Sequence, residues 1–286
     1  MKNYDVIVIG AGVGLTVVFK ALSAGVKVAL VEKGKVGGTC LNVGCAPSKI
    51  LIYPADIIRE IEEAKKLGIH AKISRVDFGS IMERMKRVVQ EGRASLRKEI
   101  KNSRNLEFYN GKARFFEDYS LEIGNEKITG DKIFIASGAR PLIPAIKGLD
   151  KAAYLTNETV LDLKRRPESI IILGGGYIAA EYGHFFSAMG TKVAIVGRNE
   201  KLVPNEEPEI SDLFKKTLEK RMNIYTGTEV FEVNRNSDGY AVLIRNRSTG
   251  KERRAEKRRA VRSFPPRNCA GVMAWIHTKN SFSGLR

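Results

Sequence analysis

One pattern occurs twice in this chain, and it leaves few folds open. Tyr4–Ile9 reads as a buried strand, Gly10–Gly14 as a tight loop, Leu15–Ala24 as a helix and Val26–Val31 as the next strand. The same order returns at Ser169–Leu173, Gly174-Gly175-Gly176, Tyr177–Met189 and Lys192–Val196. A strand–glycine turn–helix–strand unit is a parallel-sheet building block, so its repetition predicts an α/β protein with two Rossmann-like units. Gly10-x-Gly12 lets the backbone turn sharply and approach a pyrophosphate lying on the positive end of the following helix. Glu32 lies 22 positions after Gly10, where an acid bonds ribose hydroxyls. Leu15 stands where a small residue usually permits close helix–strand packing, and Gly14, one place earlier, is the substitute.

The second glycine run, Gly174-x-Gly176-x-x-Ala179, differs at the end of its second strand. The ribose-binding acid's position is Gly197, followed by Arg198. A vacancy beside an arginine suits a 2′-phosphate, whereas an acid would favour the unphosphorylated cofactor. Two dinucleotide folds imply two dinucleotides.

Between the repeats, helices are expected at Pro54–Leu67, stopped by Gly68, and after an Asp77 N-cap, with Ile81, Met85, Val88, Leu96 and Ile100 facing inward. Short strands at Leu106–Tyr109, Ala113–Phe116, Ser120–Ile123 and Glu126–Thr129 read as a meander, and Lys132–Ala136 as a further strand. The pattern resets near Pro141–Gly148. Glu158–Arg165 and Pro208–Lys220 read as helices, with strands at Asn223–Tyr225, Glu229–Asn234 and Ala241–Asn246. The expected division is 1–145, 146–256 and a basic, irregular tail at 257–286 that forms no domain.

With 286 residues there is room for one large or two ordinary domains. No run of about 18 apolar residues suggests a membrane span. Met1–Asp5 leads straight into a strand, so no signal peptide and a cytoplasmic location are expected. Of the formal charge of +17, residues 251–286 hold ten Lys/Arg against two Asp/Glu, that is 10 − 2 = +8, and the rest carry +9. No basic patch is interleaved with aromatics, so a solvated face is expected and not a nucleic-acid surface.

Cys40 and Cys45 stand in Gly37-Gly38-Thr39-Cys40-Leu41-Asn42-Val43-Gly44-Cys45-Ala46-Pro47-Ser48-Lys49. With Cys269 the chain has three cysteines, too few for a disulfide scaffold. The close pair fits inert buried thiols, a metal pair or a redox dithiol. No Cys/His partners lie at ligand spacing. In a regular helix the two Cα atoms would be about 7.5 Å apart along the axis, beyond the roughly 4.4–6.8 Å a disulfide tolerates. Asn42 and Gly44 would permit the distortion needed to close a bridge.

This segment, directly after a dinucleotide fingerprint, resembles the active-site segment of the pyridine nucleotide–disulfide oxidoreductases, the family of dihydrolipoamide dehydrogenase, glutathione reductase and mercuric reductase. The resemblance covers about residues 3–250. It implies FAD in the first unit, beside Gly10, Gly12, Gly14, Glu32, Gly38, Thr39, Lys49, Ser137 and Gly138. It implies NADP or NAD in the second, at Gly174, Gly176, Tyr177, Ala179 and Arg198. Cys40 would be the interchange thiol that attacks substrate and Cys45 the thiolate against the flavin. Lys49 would pair with Glu181, and Tyr177 would cover the nicotinamide pocket. The implied activity is electron transfer between nicotinamide, flavin and dithiol, of dihydrolipoamide dehydrogenase type. The substrate would be a small, lipoamide-like dithiol or disulfide, or a metal ion in a mercuric-reductase alternative, and a nucleotide-binding remnant is a second alternative.

The family's return segment and interface domain are not expected within these 286 residues. His277 is followed by Thr278 and Lys279, so the family's proton-transfer histidine is not assigned to it. The composition change after about Glu256 reads as a frame-shifted or truncated end, or a deliberately cut gene product. The resemblance implies a homodimer for the complete family, a state not expected of this chain.

Overall fold

The repeated pattern becomes two sheets, each with its own core, in a computed structural model that describes residues 1–236, 239–255 and 271–274. Contacts divide the chain into one unit of Met1–Lys49 and Glu83–Arg140. The other comprises Ile50–Met82 and the described residues from Pro141 onward. The division falls within two helices.

In the first unit β1 (Lys2–Ile9) leads to α1 (Gly14–Ser23) and β2 (Val28–Glu32), then to α2 (Gly38–Val43) and α3 (Cys45–Glu63). Then come α4 (Phe78–Asn102), β3 (Leu106–Asn110), β4 (Ala113–Glu117), β5 (Ser120–Ile123) and β6 (Glu126–Ile135). The sheet order is β3-β2-β1-β6-β5-β4, with the first four strands parallel and the last two antiparallel. Alternation along β1 puts Val6 and Val8 on one face, against Leu15, Val18, Leu30 and Ile100. Ile7 points to the other, against Val31, Leu121 and Ile128. Burial on both faces fixes the register, because a one-residue slip would exchange them.

Several expectations are corrected. Glu126–Thr129 and Lys132–Ala136 form one strand, β6, because Gly130 continues it. A Cβ at Gly130 would sit 2.8 Å from Ile7 Cγ1, so glycine admits the neighbouring side chain here and makes no turn. Helix α3 begins at Cys45 and carries Pro54 inside it, with a 3-10 turn, Ala64–Leu67, ending at Gly68 (φ 79°). Burial of Leu51, Ala55 and Ile58 on one stripe outweighs the donor that Pro54 lacks. On α4, Val88 is exposed and Met82 and Val89 are buried in its place, while Ser80 N–H donates to Asp77 Oδ1 (3.0 Å), the expected cap.

The second unit has β7 (Tyr154–Leu155), β8 (Ser169–Leu173), α5 (Tyr177–Ala188), β9 (Lys192–Val196), α6 (Pro208–Glu219) and β10 (Asn223–Tyr225). An antiparallel trio follows, β11 (Thr228–Asn236), β12 (Gly239–Asn246) and β13 (Glu252–Ala255). The helix expected over Glu158–Arg165 is only a 3-10 turn, Thr159–Asp162, because the chain extends at Leu163 (ψ 125°) on its way to Pro167. The tail is corrected in part. Its Gly271–Ala274 forms β14, parallel to β8 and β7, in a sheet ordered β10-β9-β8-β14-β7. The other residues of 257–286, His277 included, lie outside the described ones. Residues 50–82 join this unit through Phe78, whose ring centroid is 6.0 Å from Phe185 and 6.4 Å from Phe186. His184 Nε2 and Asp56 Oδ1, 2.8 Å apart, add a polar clasp.

Candidate functional site

The first glycine turn is built by close approach. Gly10 has φ 110°, and a Cβ there would lie 2.2 Å from the Ala136 carbonyl oxygen. A Cβ at Gly14 would meet Val8 Cγ1 at 2.7 Å, so Gly14 provides the close helix–strand packing while Leu15 joins the core. Gly12 and Gly38 lie back to back, since a Cβ on Gly38 would stand 2.5 Å from Gly12 Cα. The segment holding the cysteines is therefore seated on the turn. Ser137 and Gly138 (φ 70°) follow β6 into solvent, the Ser137 nitrogen 3.2 Å from the same Cβ position on Gly10.

Glu32 closes this turn from β2. Ala11 N–H donates to its Oε2 (2.8 Å) and Gly34 N–H to its Oε1 (2.7 Å). Each oxygen has two lone pairs, so these bonds leave capacity for a ribose hydroxyl. A bare backbone cradle capped by an acid at the strand end fits an adenine dinucleotide.

Cys40 lies on α2 and Cys45 opens α3, so the regular-helix spacing does not apply. Gly44 separates the two helices at φ −128°, ψ −114°, and a Cβ on it would press to 3.0 Å from the Thr39 carbonyl oxygen. Asn42, expected to be permissive, is instead a bracket. Its Nδ2 donates to the carbonyls of Val36 and Gly38, both at 2.9 Å, and Arg93 Nη1 reaches its Oδ1 at 3.5 Å. Both cysteines are free thiols and exposed. The neighbouring Cys45 thiol, then burial, holds the Cys40 thiol above its ordinary value, while the N–H groups of Cys45 and Ala46 pull the other way. Thr39 precedes them, exposed. Lys49 is exposed one helical turn after Cys45.

In the second unit Gly174 has φ 124° and Gly176 is the N-cap of α5, at φ −88° and ψ −175°. Ala179 is buried on that helix and Glu181 is half-buried. Tyr177 opens α5 with about half its surface exposed (51%), and its hydroxyl donates to the Glu206 carboxylate. That bond raises the phenol above its usual range. Gly197 lies against the turn, and a Cβ there would stand 3.4 Å from Gly175 Cα, an ordinary contact. Its φ is not positive. Neither backbone nor packing requires glycine at 197. Arg198 beside it is exposed. No sequence signal marked Arg247, whose Nη1 donates to the Arg198 carbonyl (3.2 Å) across 49 positions. Among the described residues no group of three or more His, Cys, Asp or Glu could hold a metal ion.

Two dinucleotide folds, the first with a dithiol seated on its glycine turn, define an oxidoreductase architecture. A family model described as pyridine nucleotide-disulphide oxidoreductase matches residues 4–258, and the chain belongs to that family. Its members use FAD and NAD(P)H. A mercuric reductase of Lysinibacillus sphaericus is 33% identical over 244 residues, covering 85% of this chain and 45% of the relative. A dihydrolipoyl dehydrogenase of Bacillus subtilis is 31% identical over 244 residues, covering 80% and 51%. Among solved structures, a Cu(II) complex of the HOCl-induced flavoprotein disulfide reductase RclA of Escherichia coli superposes with a TM-score of 0.77 at 26% identity, covering 96% of this chain and 56% of that one. The chain spans about half the length of these relatives. Among the described residues no helix is long and apolar enough to cross a membrane.

Proposed function

We propose that the chain carries the electron-transfer half of an NAD(P)H-linked disulfide reductase of dihydrolipoamide dehydrogenase type, with Cys40–Cys45 as its redox dithiol. The observation that supports this best is the pair of exposed, neighbouring thiols, Cys40 within α2 and Cys45 at the start of α3, in a segment seated on the Gly10–Gly14 turn. When bound there, FAD supplies the two-electron relay between a nicotinamide and a dithiol.

The chain's own residues do the rest. The Gly10–Gly14 turn and Glu32 hold the dinucleotide, and Gly38 and Thr39 bring the dithiol segment to it. Ser137 and Gly138 border the same turn. Gly174, Gly176, Ala179 and the start of α5 receive the second pyrophosphate, Arg198 reads its adenosine end, and Tyr177 guards the nicotinamide. Lys49 provides positive charge one turn from Cys45, and Glu181 is assigned as its counter-charge. Cys40 is the attacking thiol. As thiolate it displaces one sulfur of a substrate disulfide, giving a mixed disulfide and one released thiol, and Cys45 thiolate then expels the second. The substrate gains two electrons and two protons, and Cys40–Cys45 closes as a disulfide. The N–H groups of Cys45 and Ala46 stabilise the Cys40 thiolate that attacks.

Mercuric ion is the second reading, favoured by the Gly197-Arg198 strand ending. The two are separated by supplying NADPH to the FAD-loaded chain with lipoamide or with mercuric ion as acceptor. Turnover of lipoamide that vanishes in Cys40→Ser supports the first reading, and turnover of mercuric ion alone supports the second. Equal rates in wild type and Cys40→Ser with either acceptor would remove the dithiol from the account.

A further inference from the structure

The end of β9 is lined by more than the strand itself. A cleft of about 450 Å³ there includes Arg198, Asn199, Glu200, Lys201, Glu206 and Arg247. One of its three cations is already paired, and its two carboxylates hold hydroxyl partners. Lys201 Nζ is 2.7 Å from Asp212 Oδ2 and also donates to the Pro208 carbonyl. Glu206 accepts the Tyr177 hydroxyl, and Glu200 Oε1 accepts the Ser248 hydroxyl at 3.4 Å. Two guanidinium groups remain without an acid partner among the described residues, Arg198 and Arg247.

Arg247 is held there by its backbone. It sits in the turn from β12 to β13, where Asn246 Oδ1 accepts N–H bonds from Ser248 (3.1 Å) and Thr249 (2.9 Å). Its own N–H donates to the Gly227 carbonyl (2.8 Å), and one guanidinium nitrogen to the Arg198 carbonyl (3.2 Å). A guanidinium has five N–H donors, so most of Arg247's stay available beside Arg198. Their place is the C-terminal end of the second strand of a dinucleotide fold, where adenosine ribose is read.

We infer that Arg247 is a second specificity-determining residue, forming with Arg198 a two-arginine clamp for the 2′-phosphate of a phosphorylated dinucleotide. This rests on the assignment of the second unit to the nicotinamide cofactor. Two guanidinium groups from separate elements suit a dianionic phosphate, which has three terminal oxygens to share between them.

The test is equilibrium binding to the full chain of adenosine 2′,5′-bisphosphate and of adenosine 5′-monophosphate, by calorimetry. In Arg247→Ala the bisphosphate should bind about tenfold more weakly, the equivalent of about 1.4 kcal/mol, with the monophosphate unchanged. Arg198→Ala should behave alike, and in the double variant the two ligands should bind equally. Raising salt from about 0.1 M to about 1 M should narrow the wild-type preference, because the screening length falls from about 10 Å to about 3 Å. If Arg198→Ala removes the preference while Arg247→Ala leaves it intact, the clamp is refuted and the single-arginine reading stands. If Arg247→Ala weakens both ligands equally, Arg247 only supports the loop, and the inference is again refuted. If wild type binds neither nucleotide, the assignment of the unit itself fails.

Discussion

The two glycine turns share a pattern and differ in what presses on them. In the first, Gly12 is backed by Gly38, Gly10 by the Ala136 carbonyl, and Glu32 stitches the turn to its strand end. In the second, a Cβ at Gly176 would meet nothing within 4 Å, and the strand ends in Gly197 and Arg198. The first turn is thus locked into its surroundings, with a dithiol segment as one wall. The second is open at Gly176 and ends in positive charge. That contrast is what a resident cofactor and an exchanging one would require, since only the latter must come and go each cycle.

The contrast breaks most sharply by substitution of the glycines. Gly10→Ala combines a positive φ with a 2.2 Å clash against backbone, and should cost on the order of 2–4 kcal/mol. Gly176→Ala, in open space at negative φ, should cost at most about 1 kcal/mol. Urea denaturation of both variants checks this, and equal losses would erase the distinction. Next in size is Glu32→Ala, which strips the Ala11 and Gly34 N–H groups of their acceptor. A loss of about 1–3 kcal/mol and weaker retention of added FAD are expected. Unaltered FAD retention would leave Glu32 a purely structural brace.

Gly197→Asp carries the first unit's acid into the second. Position 197 tolerates a side chain, so the variant should fold and shift the NADPH-to-NADH preference about tenfold toward NADH. An unchanged ratio of KM values would mean that the strand end does not read the ribose. A subtler effect concerns Cys40. Its thiol is raised by Cys45, so its alkylation should reach half-maximal rate at a higher pH than a free thiol's, and at a lower pH in Cys45→Ser than in wild type. The sign extends to stability. A raised thiol favours the folded state below the unfolded thiol's own pKa, and that advantage disappears as pH rises through the folded value. Identical profiles in the two proteins would show that the thiols do not interact.

Most of this was legible in the residues. Strand–turn–helix periodicity located both units, and the Gly10 and Gly174 turns appear where their glycines required. Asp77 was visible as a cap because the signal is local. What was hidden depended on distant partners. Pro54 seemed to open a helix, yet α3 begins at Cys45, because burial of Leu51, Ala55 and Ile58 decides there and not local propensity. Gly130 looked like a break between strands until Ile7 supplied the reason for glycine. Arg247 carries no motif and reaches Arg198 only through a hairpin 49 positions downstream. Gly271–Ala274 gave no period, since four residues in a parallel sheet are too few to show one.

The most direct measurement of the central claim is a count of thiols. The oxidised, FAD-loaded chain is mixed anaerobically with one equivalent of NADPH, alkylated, and mapped by peptide mass. Cys40 and Cys45 are expected to become alkylated together, two thiols per nucleotide oxidised, with no change at Cys269. Oxidation of NADPH without the appearance of these two thiols would contradict that claim.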